Sequence, residues 1–335
     1  MNAEVHPDRI LAELDQLWTA LAQESGGTGS DAVLRACAMT PIVATHQVED
    51  ASAVHQTLAE LIREHPSRLI LVCLRPASQP LLEATVSAEC WLPFGGRQQV
   101  CCEQIHITAS EANLPELPAL LLALAAPDLP VVLWCRQAPL LEVPAFQETC
   151  SVVDKLILDS ATHPDPRAIL QQLAQGCGRL PALADLSWTR LTRWRKMLAQ
   201  VFENPACLAR LPAFSELRIS YAGAAIPVSA YYLAAWITQA LKREPVLHFE
   251  ATCALESASS GVQGFKLAAN GFRVSLWRAD DSALEIEAGS LQAHAPLPPQ
   301  PESSLLGQEL AIAGRDPVYD SVLRLAAQIA GRQEG

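Results

Sequence analysis

Residues 61–76 read LIREHPSRLILVCLRP and join the end of an amphipathic helix to a strand through four residues, HPSR. Pro66 disfavours the α-helical conformation at His65, so the helix must stop there. The run RLILVCLR that follows has strand length and is apolar between its two arginines, which is typical of a strand covered on both faces. The stretch therefore predicts a helix, a tight corner and a buried strand.

Helices and strands alternate on both sides of this stretch. Upstream, apolar side chains recur at helical spacing over residues 7–24, AVLRACAMTPIVAT has the character of a strand, and residues 48–64 that of a helix. Downstream, two alternating segments flank the turn signal PFGGR, before a helix at 111–126 and the strands PVVLWC and KLILDS. Residues 1–164 are predicted to form an α/β domain, a mostly parallel, doubly wound-like sheet with an attached hairpin.

From residue 165 onward the pattern changes. A helix is followed by DLSWTRLTRWRKMLAQVFEN, which predicts one long helix with Asp185 as its N-cap. A strand, an apolar helix and four alternating strands between residues 246 and 288 come next, with ANGF as a hairpin turn. A proline-rich surface connection, HAPLPPQPESS, leads to two final helices. Residues 165–335 are predicted to form an α+β domain with an antiparallel sheet.

The composition excludes several classes of partner and location. The 335 residues carry a formal net charge of -12, which argues against nucleic acid or anionic lipid as the main partner. The N-terminus lacks the basic and apolar regions of a signal peptide. Prolines split the most apolar stretch, residues 117–134, into pieces too short to span a membrane. We expect a cytoplasmic protein.

The cysteines indicate neither a metal site nor a redox motif. There are ten, scattered along the chain and without a C-x-x-C pair. Several lie inside apolar strands, where a thiol behaves as a small hydrophobic group. We expect most of them to be reduced and buried. For the adjacent pair Cys101 and Cys102, strand alternation predicts that one side chain faces outward.

No strong catalytic signature is present. The first strand is not followed by G-x-G-x-x-G, and the phosphate-loop, zinc-protease and nucleophile-elbow motifs do not occur. We therefore expect no catalytic residues, no cofactor and no metal.

Two stretches could carry a site. In the HPSR corner, a structural role is the plain interpretation, although Arg68 could hold a phosphate or a partner's carboxylate. In DLSWTRLTRWR, residues 185–195, arginine stacked on tryptophan suits anion or protein recognition, whereas an amphipathic helix with buried tryptophans is the alternative. The candidate contact residues are Arg68, Trp188, Arg190, Arg193, Trp194 and Arg195. The residues expected to be structural are His65, Pro66, Ser67 and Asp185.

These segments resemble a known family. REHPSRLILV, DLPVVLWCR with VVDKLILDSA, DLSWTRLTRWRKMLAQVFENP and LLGQELAIAGRDPVYDSVLRL occur in the order and spacing of the glucose-6-phosphate dehydrogenase assembly protein family, OpcA. The resemblance implies a non-catalytic partner that assembles or activates glucose-6-phosphate dehydrogenase, the first enzyme of the oxidative pentose phosphate pathway. This chain has Arg193 where family members often have proline, which leaves the local helix geometry open.

Three hypotheses follow. The first is a regulatory protein that binds the dehydrogenase, the role that the resemblance implies. The second is an enzyme of unknown reaction that uses the α/β scaffold to bind a sugar phosphate, which rests on fold analogy. The third is a purely structural subunit of an oligomer. Measuring dehydrogenase activity while this protein is titrated in separates them.

Overall fold

The computed structural model describes residues 5–24, 33–46, 51–76, 79–93, 99–178, 181–252, 261–269, 271–312 and 314–333. The helices are α1 (Pro7–Glu24), α2 (Ala51–Glu64), α3 (Leu117–Leu124), α4 (Pro144–Ser151), α5 (Pro166–Gly176), α6 (Leu186–Thr189), α7 (Thr192–Glu203), α8 (Pro205–Leu208), α9 (Val228–Leu241), α10 (Glu302–Leu310) and α11 (Pro317–Arg332). The strands are β1 (Leu34–Arg35), β2 (Thr40–His46), β3 (Leu69–Arg75), β4 (Leu82–Trp91), β5 (Val100–Ser110), β6 (Val131–Cys135), β7 (Lys155–Leu158), β8 (Ala182–Asp185), β9 (Glu216–Ala222), β10 (Val246–Ala251), β11 (Gly261–Ala269), β12 (Phe272–Arg278), β13 (Ala283–Ala288) and β14 (Leu291–Pro296).

The chain divides into two compact units. The first comprises Met1–Thr162, Gly178–Ala184 and Glu302–Gly314, and the second comprises His163–Cys177, Asp185–Pro301 and Arg315–Gly335. Two segments from the C-terminal half of the sequence thus fold with the first unit. One supplies most of β8, at the edge of the first sheet, and the other supplies α10, which packs against α2.

The first unit is built on a mostly parallel sheet. Its strand order is β1-β5-β3-β2-β6-β7-β8, and β4 pairs antiparallel with β5 as a hairpin. The pairs β1–β5, β5–β3, β3–β2, β2–β6 and β6–β7 are parallel. In β3, Ile70, Val72 and Leu74 on one face and Leu69 on the other face are all at most 1% exposed. The α/β class and the strand covered on both faces are therefore confirmed.

A buried lysine anchors α10 within the first unit. The Lys155 ammonium group, at the start of β7, donates to the backbone carbonyl of Ile312 at 3.1 Å and to the Glu309 carboxylate at 3.3 Å. Lys155 is 5% exposed, and a charge this deeply buried needs such partners. A long-range ion pair thus holds a C-terminal segment to the first sheet.

The second unit is built on a mostly antiparallel sheet, as the sequence predicts. Its strand order is β10-β9-β11-β12-β13-β14, and only the β10–β9 pair within this order is parallel. Helix α9 packs on β9 and β11 and also contacts α11, which in turn packs against α5. Since α9 is covered from several sides, most of its residues are buried, including Tyr231 and Tyr232.

Three local predictions need correction. The long helix expected from Asp185 is broken into α6 and α7, and strand β14 occupies part of the segment that was predicted to be a proline-rich connection. Cys90 and Cys101, directly opposite each other on β4 and β5, form a disulfide. Neither Cys101 nor Cys102 faces outward, since both are 0% exposed and both faces of β5 are covered there. Cys253 lies outside the described residues.

Candidate partner-binding site

The HPSR corner aligns two parts of the first sheet. Helix α2 closes with a hydrogen bond from the His65 amide to the Leu61 carbonyl. The Pro66 carbonyl then accepts from the Ala38 amide at 2.8 Å, and the Arg68 amide donates to the Met39 carbonyl at 3.1 Å. The corner thus joins the start of β3 to the chain just before β2. All three hydrogen bonds join backbone atoms within the first unit.

Arg68 is engaged inside the first unit. Its Nε donates to the Glu103 carboxylate at 2.5 Å and its Nη1 to the Leu124 carbonyl at 3.0 Å. Glu103, on β5, also pairs with Arg35 and accepts from the Trp18 indole at 2.6 Å. Arg68 is 8% and Glu103 3% exposed. Because this guanidinium group already has its partners, we leave it out of the contact surface proposed below.

Both tryptophans of the segment DLSWTRLTRWR, residues 185–195, are buried. Trp188, on α6, and Trp194, on α7, are each 3% exposed. On one continuous helix, residues six apart point about 120° away from each other. Burial of both side chains therefore means that this segment is covered by the second unit on more than one side. Trp194 packs against Phe265, with ring centroids 6.2 Å apart.

Arg195 stacks on Trp188 within the second unit. Its guanidinium carbon lies 3.5 Å from the centroid of the indole ring, and its Nη2 donates to the Thr192 hydroxyl at 2.9 Å. The indole nitrogen of Trp188 is 3.4 Å from the Asp316 carboxylate. A cation over the face of tryptophan is a favourable electrostatic contact. Arg195 therefore fixes the helix in place and does not point freely outward.

The buried carboxylate of Asp185 stabilises the start of α6. Asp185 is 0% exposed; it accepts from the Ser187 amide at 2.9 Å, which confirms the predicted N-cap, and from the Tyr232 hydroxyl at 2.8 Å. The Tyr232 and Tyr319 hydroxyls are 3.1 Å apart. Burial, reinforced by the nearby Asp185, raises the pKa of Tyr232 well above its usual value. The sequence indicated the cap alone; nothing in it paired the tyrosines with Asp185.

Three cationic side chains of this segment are at least partly exposed to solvent. Arg190 and Lys196 are exposed and Arg193 is half-buried. Arg193, Lys196 and Ala199 follow one another at helical spacing along α7 and so share a stripe. Within the described part of the chain, Arg193 and Lys196 have no ion-pair partner. We call Arg190, Arg193 and Lys196 the basic flank.

An apolar groove lies along the same helix. It has a volume of about 280 Å³ and runs between α7 and α9, with Leu267 of β11 among its walls. Its lining residues are Leu198, Ala199, Phe202, Glu203, Leu211, Trp236, Ile237, Ala240, Leu241 and Leu267. Trp236 and Phe202 are half-buried, so their rings form part of an accessible wall. Ala199 belongs both to the groove and to the stripe that carries the basic flank.

Among the described residues, no group of three His, Cys, Asp or Glu side chains lies close enough together to hold a metal ion. None of the helices described is both long and apolar enough to cross a membrane.

Together, these features define a two-unit α/β protein whose candidate site is a surface, made of a rigidly supported basic flank and an apolar groove. The family model described as the glucose-6-phosphate dehydrogenase subunit N-terminal domain matches residues 59–175, and the model for the C-terminal domain of the same subunit matches residues 181–323. The chain belongs to the glucose-6-phosphate dehydrogenase assembly protein family, OpcA, as the sequence segments predicted.

Curated relatives agree with this family. The chain is 28% identical over 200 residues to a Synechocystis sp. protein that carries the name OxPP cycle protein OpcA, and 27% identical over 186 residues to one of that name from Synechococcus elongatus. The first match covers 59% and the second 55% of this chain, and each covers 41% of the relative. The matching region therefore spans about two fifths of the length of these relatives.

Solved structures with a similar outline are oxidoreductases. KijD10, a 3-ketoreductase from Actinomadura kijaniata, has a TM-score of 0.46 at 10% identity, covering 90% of this chain and 97% of its own. Biliverdin reductase from Synechocystis sp. PCC 6803 has a TM-score of 0.47 at 10% identity, covering 89% and 98%. We draw no functional conclusion from likenesses of this size.

Proposed function

We propose that this protein binds glucose-6-phosphate dehydrogenase and promotes its assembly or activity, without catalysing a reaction itself. Both family models are described as parts of a subunit of that dehydrogenase, and the relatives are named for the OxPP cycle. We also place the protein in the cytoplasm, because seven of the nine described cysteines form no disulfide and Cys90–Cys101 is the single disulfide among them, a low share for a protein of an oxidising compartment.

The observation that carries the proposal is the basic flank on a rigid helix beside an apolar groove. In a chain with a net charge of -12, neighbouring cations repel each other unless something anionic faces them. Within the described residues nothing pairs Arg193 or Lys196, so an acidic surface of the dehydrogenase is the complementary partner. The groove accepts an apolar side chain beside that surface, and Trp236 on its wall is of the residue type that dominates interface energetics.

The test is a titration of the protein into a fixed amount of the purified dehydrogenase from the same organism, with NADP reduction and complex formation both measured. We expect a saturable rise in activity and co-elution of the two chains. The protein alone, supplied with glucose 6-phosphate and NADP, is expected to show no activity. Absence of both complex formation and activation would refute the proposal, and activity of the protein alone would favour the sugar-phosphate enzyme.

The contact surface is tested by Arg193→Ala combined with Lys196→Ala. We expect the dissociation constant to rise about tenfold or more, a loss of about 1.4 kcal/mol, with an unchanged melting temperature. The control is Arg273→Ala, because the Arg273 side chain is 61% exposed on β12, does not line the groove and has Glu287 as its ion-pair partner. Equal effects of the two changes, or none from the double variant, would place the contact elsewhere.

A further inference from the structure

The apolar groove between α7 and α9 is short. Its lining residues run from Leu198 to Glu203 on α7 and from Trp236 to Leu241 on α9. At 1.5 Å per residue, each of these two walls is about 7.5 Å long. Every described residue that lines the groove is apolar except Glu203. The groove therefore accepts a short row of apolar side chains that lies along the two helices.

The nature of the walls favours a helix over an extended segment as the occupant. Because α7 and α9 satisfy their main-chain groups internally, they turn only side chains towards the groove. An extended segment would bury its own amides and carbonyls there without partners, since strand addition needs an open sheet edge. A helix brings its main-chain hydrogen bonds with it. Its side chains at i and i+4 lie about 6 Å apart along the axis and fit the groove, whereas i and i+7, about 10.5 Å apart, do not.

One set of cations lies beside the groove on α7. Arg193 and Lys196 come six and three residues before the lining residue Ala199, which places them about 9 and 4.5 Å further along the helix axis. The chain has 36 acidic side chains, yet none of those in its described part forms an ion pair with either cation. Both positive charges are therefore left for a partner.

A second set of cations lies where α9 ends. Lys242 directly follows Leu241, which ends α9 and lines the groove. Arg243 donates from its Nη1 to the Pro212 carbonyl at 2.7 Å, next to the lining residue Leu211. Both cations are exposed, and no acid of the described ranges forms an ion pair with them. Positive charge thus borders the groove on two sides.

We propose that the groove binds an acidic amphipathic helix of glucose-6-phosphate dehydrogenase. Two apolar side chains of that helix, four residues apart, fill the groove. Acidic side chains beside this apolar pair face the basic flank and the two cations that follow α9. Charge complementarity carries the inference, because an apolar floor with a cationic border matches an apolar stripe bordered by acids. The inference rests on the proposed function, since it names the part of the dehydrogenase that docks.

Ala199→Glu tests whether the groove is occupied in the complex. Its matched control is Gln200→Glu, because both residues are exposed neighbours on α7, both changes add one negative charge and only Ala199 lines the groove. Against the purified dehydrogenase, we expect the dissociation constant to rise about tenfold or more for Ala199→Glu, since its carboxylate repels the acids and disrupts the apolar contact. For Gln200→Glu we expect a rise of less than about threefold. Glutamate is a good helix former, so both melting temperatures should be unchanged.

Carbodiimide crosslinking of the wild-type complex identifies the docked segment. The reagent joins a lysine amine to a carboxylate that contacts it, and the chain has only four lysines: Lys155, Lys196, Lys242 and Lys266. Lys155 is buried, and Lys266, on β11, does not line the groove and serves as the control. We expect mass spectrometry to find Lys196 and Lys242 joined to acids of one segment of the dehydrogenase. That segment should contain two apolar residues four apart, and Lys266 should not be joined to it.

The outcomes separate this inference from the proposed function. A complex with Ala199→Glu that is as tight as the wild-type complex would overturn the inference and leave the proposed function standing. So would crosslinks from Lys196 into a stretch without the apolar pair, or equal crosslinking of Lys266 to the same segment. A wild-type protein that forms no complex with the dehydrogenase would refute the proposed function, and the inference would fall with it.

Discussion

Replacing Arg68 tests whether the HPSR corner stabilises the fold or binds the dehydrogenase. In Arg68→Met an unbranched apolar side chain fills much of the same volume but cannot donate to Glu103 or to the Leu124 carbonyl. The Arg68 and Glu103 side chains are only 9% and 4% exposed, so the variant leaves a buried carboxylate with one partner fewer. We expect the fold to lose substantial stability.

The magnitude follows from the surroundings of Glu103. Breaking a buried ion pair by removing one partner costs about 3–5 kcal/mol. Here Arg35 and the Trp18 indole still contact the carboxylate, so we expect the lower end of the range, about 3 kcal/mol. Arg35 pairs with the same carboxylate but its side chain is 46% exposed, so Arg35→Met should cost no more than about 1 kcal/mol.

The assay is urea unfolding of the wild type, both single variants and the double variant Arg68→Met with Glu103→Leu. Replacing both buried charges by apolar groups removes the unpaired carboxylate, so we expect the double variant to be more stable than Arg68→Met. Below its unfolding transition, Arg68→Met should bind the dehydrogenase as the wild type does. A loss below about 1 kcal/mol, equal costs for the two arginines, or weaker binding by folded Arg68→Met would refute this reasoning.

Three further predictions concern the interior. Tyr232→Phe should lower the free energy of unfolding by about 1–3 kcal/mol, because it leaves the buried Asp185 carboxylate without one donor, and thermal unfolding would measure it. Gly264→Ala should cost about 1–3 kcal/mol in the same assay, since a Cβ there would lie 2.5 Å from the Trp277 ring and 2.8 Å from a backbone oxygen. At pH 8 the Cys102 thiol should be alkylated only after unfolding, because burial raises its pKa to about 11 and leaves about one molecule in a thousand as thiolate; fast labelling of the native protein, followed by mass spectrometry, would contradict this.

Local features of the fold could be predicted because their causes lie within a few residues. Pro66 ends α2 by steric conflict with its own neighbour, and the Asp185 side chain caps the amide two residues later. The apolar run of β3 indicates a strand covered on both faces without reference to its neighbours. The same holds for the β4–β5 hairpin. The family also could be recognised, because its segments are short and specific in their spacing.

The candidate site could be predicted only in part. The sequence singled out DLSWTRLTRWR, but helical spacing alone could not decide which side chains of this segment would be buried. In the structure both tryptophans lie in the core of the second unit, and Arg195 is held on Trp188. What remains accessible is the basic flank, together with a groove whose walls come from four separate segments of the second unit.

The sequence by itself determined where α2 ends, where the Asp185 cap lies, the α/β class, the antiparallel second sheet and the family, since each depends on spacing or on local steric rules. Only the tertiary structure decided which charged and polar side chains contact one another. Glu103 contacts Arg35, Arg68 and Trp18, the last of which is 85 residues away in the sequence. Asp185 accepts a hydrogen bond from Tyr232, which is 47 residues away in the sequence. Such pairings depend on which strands become neighbours, because burial makes an unpaired charge costly but does not specify its partner in advance.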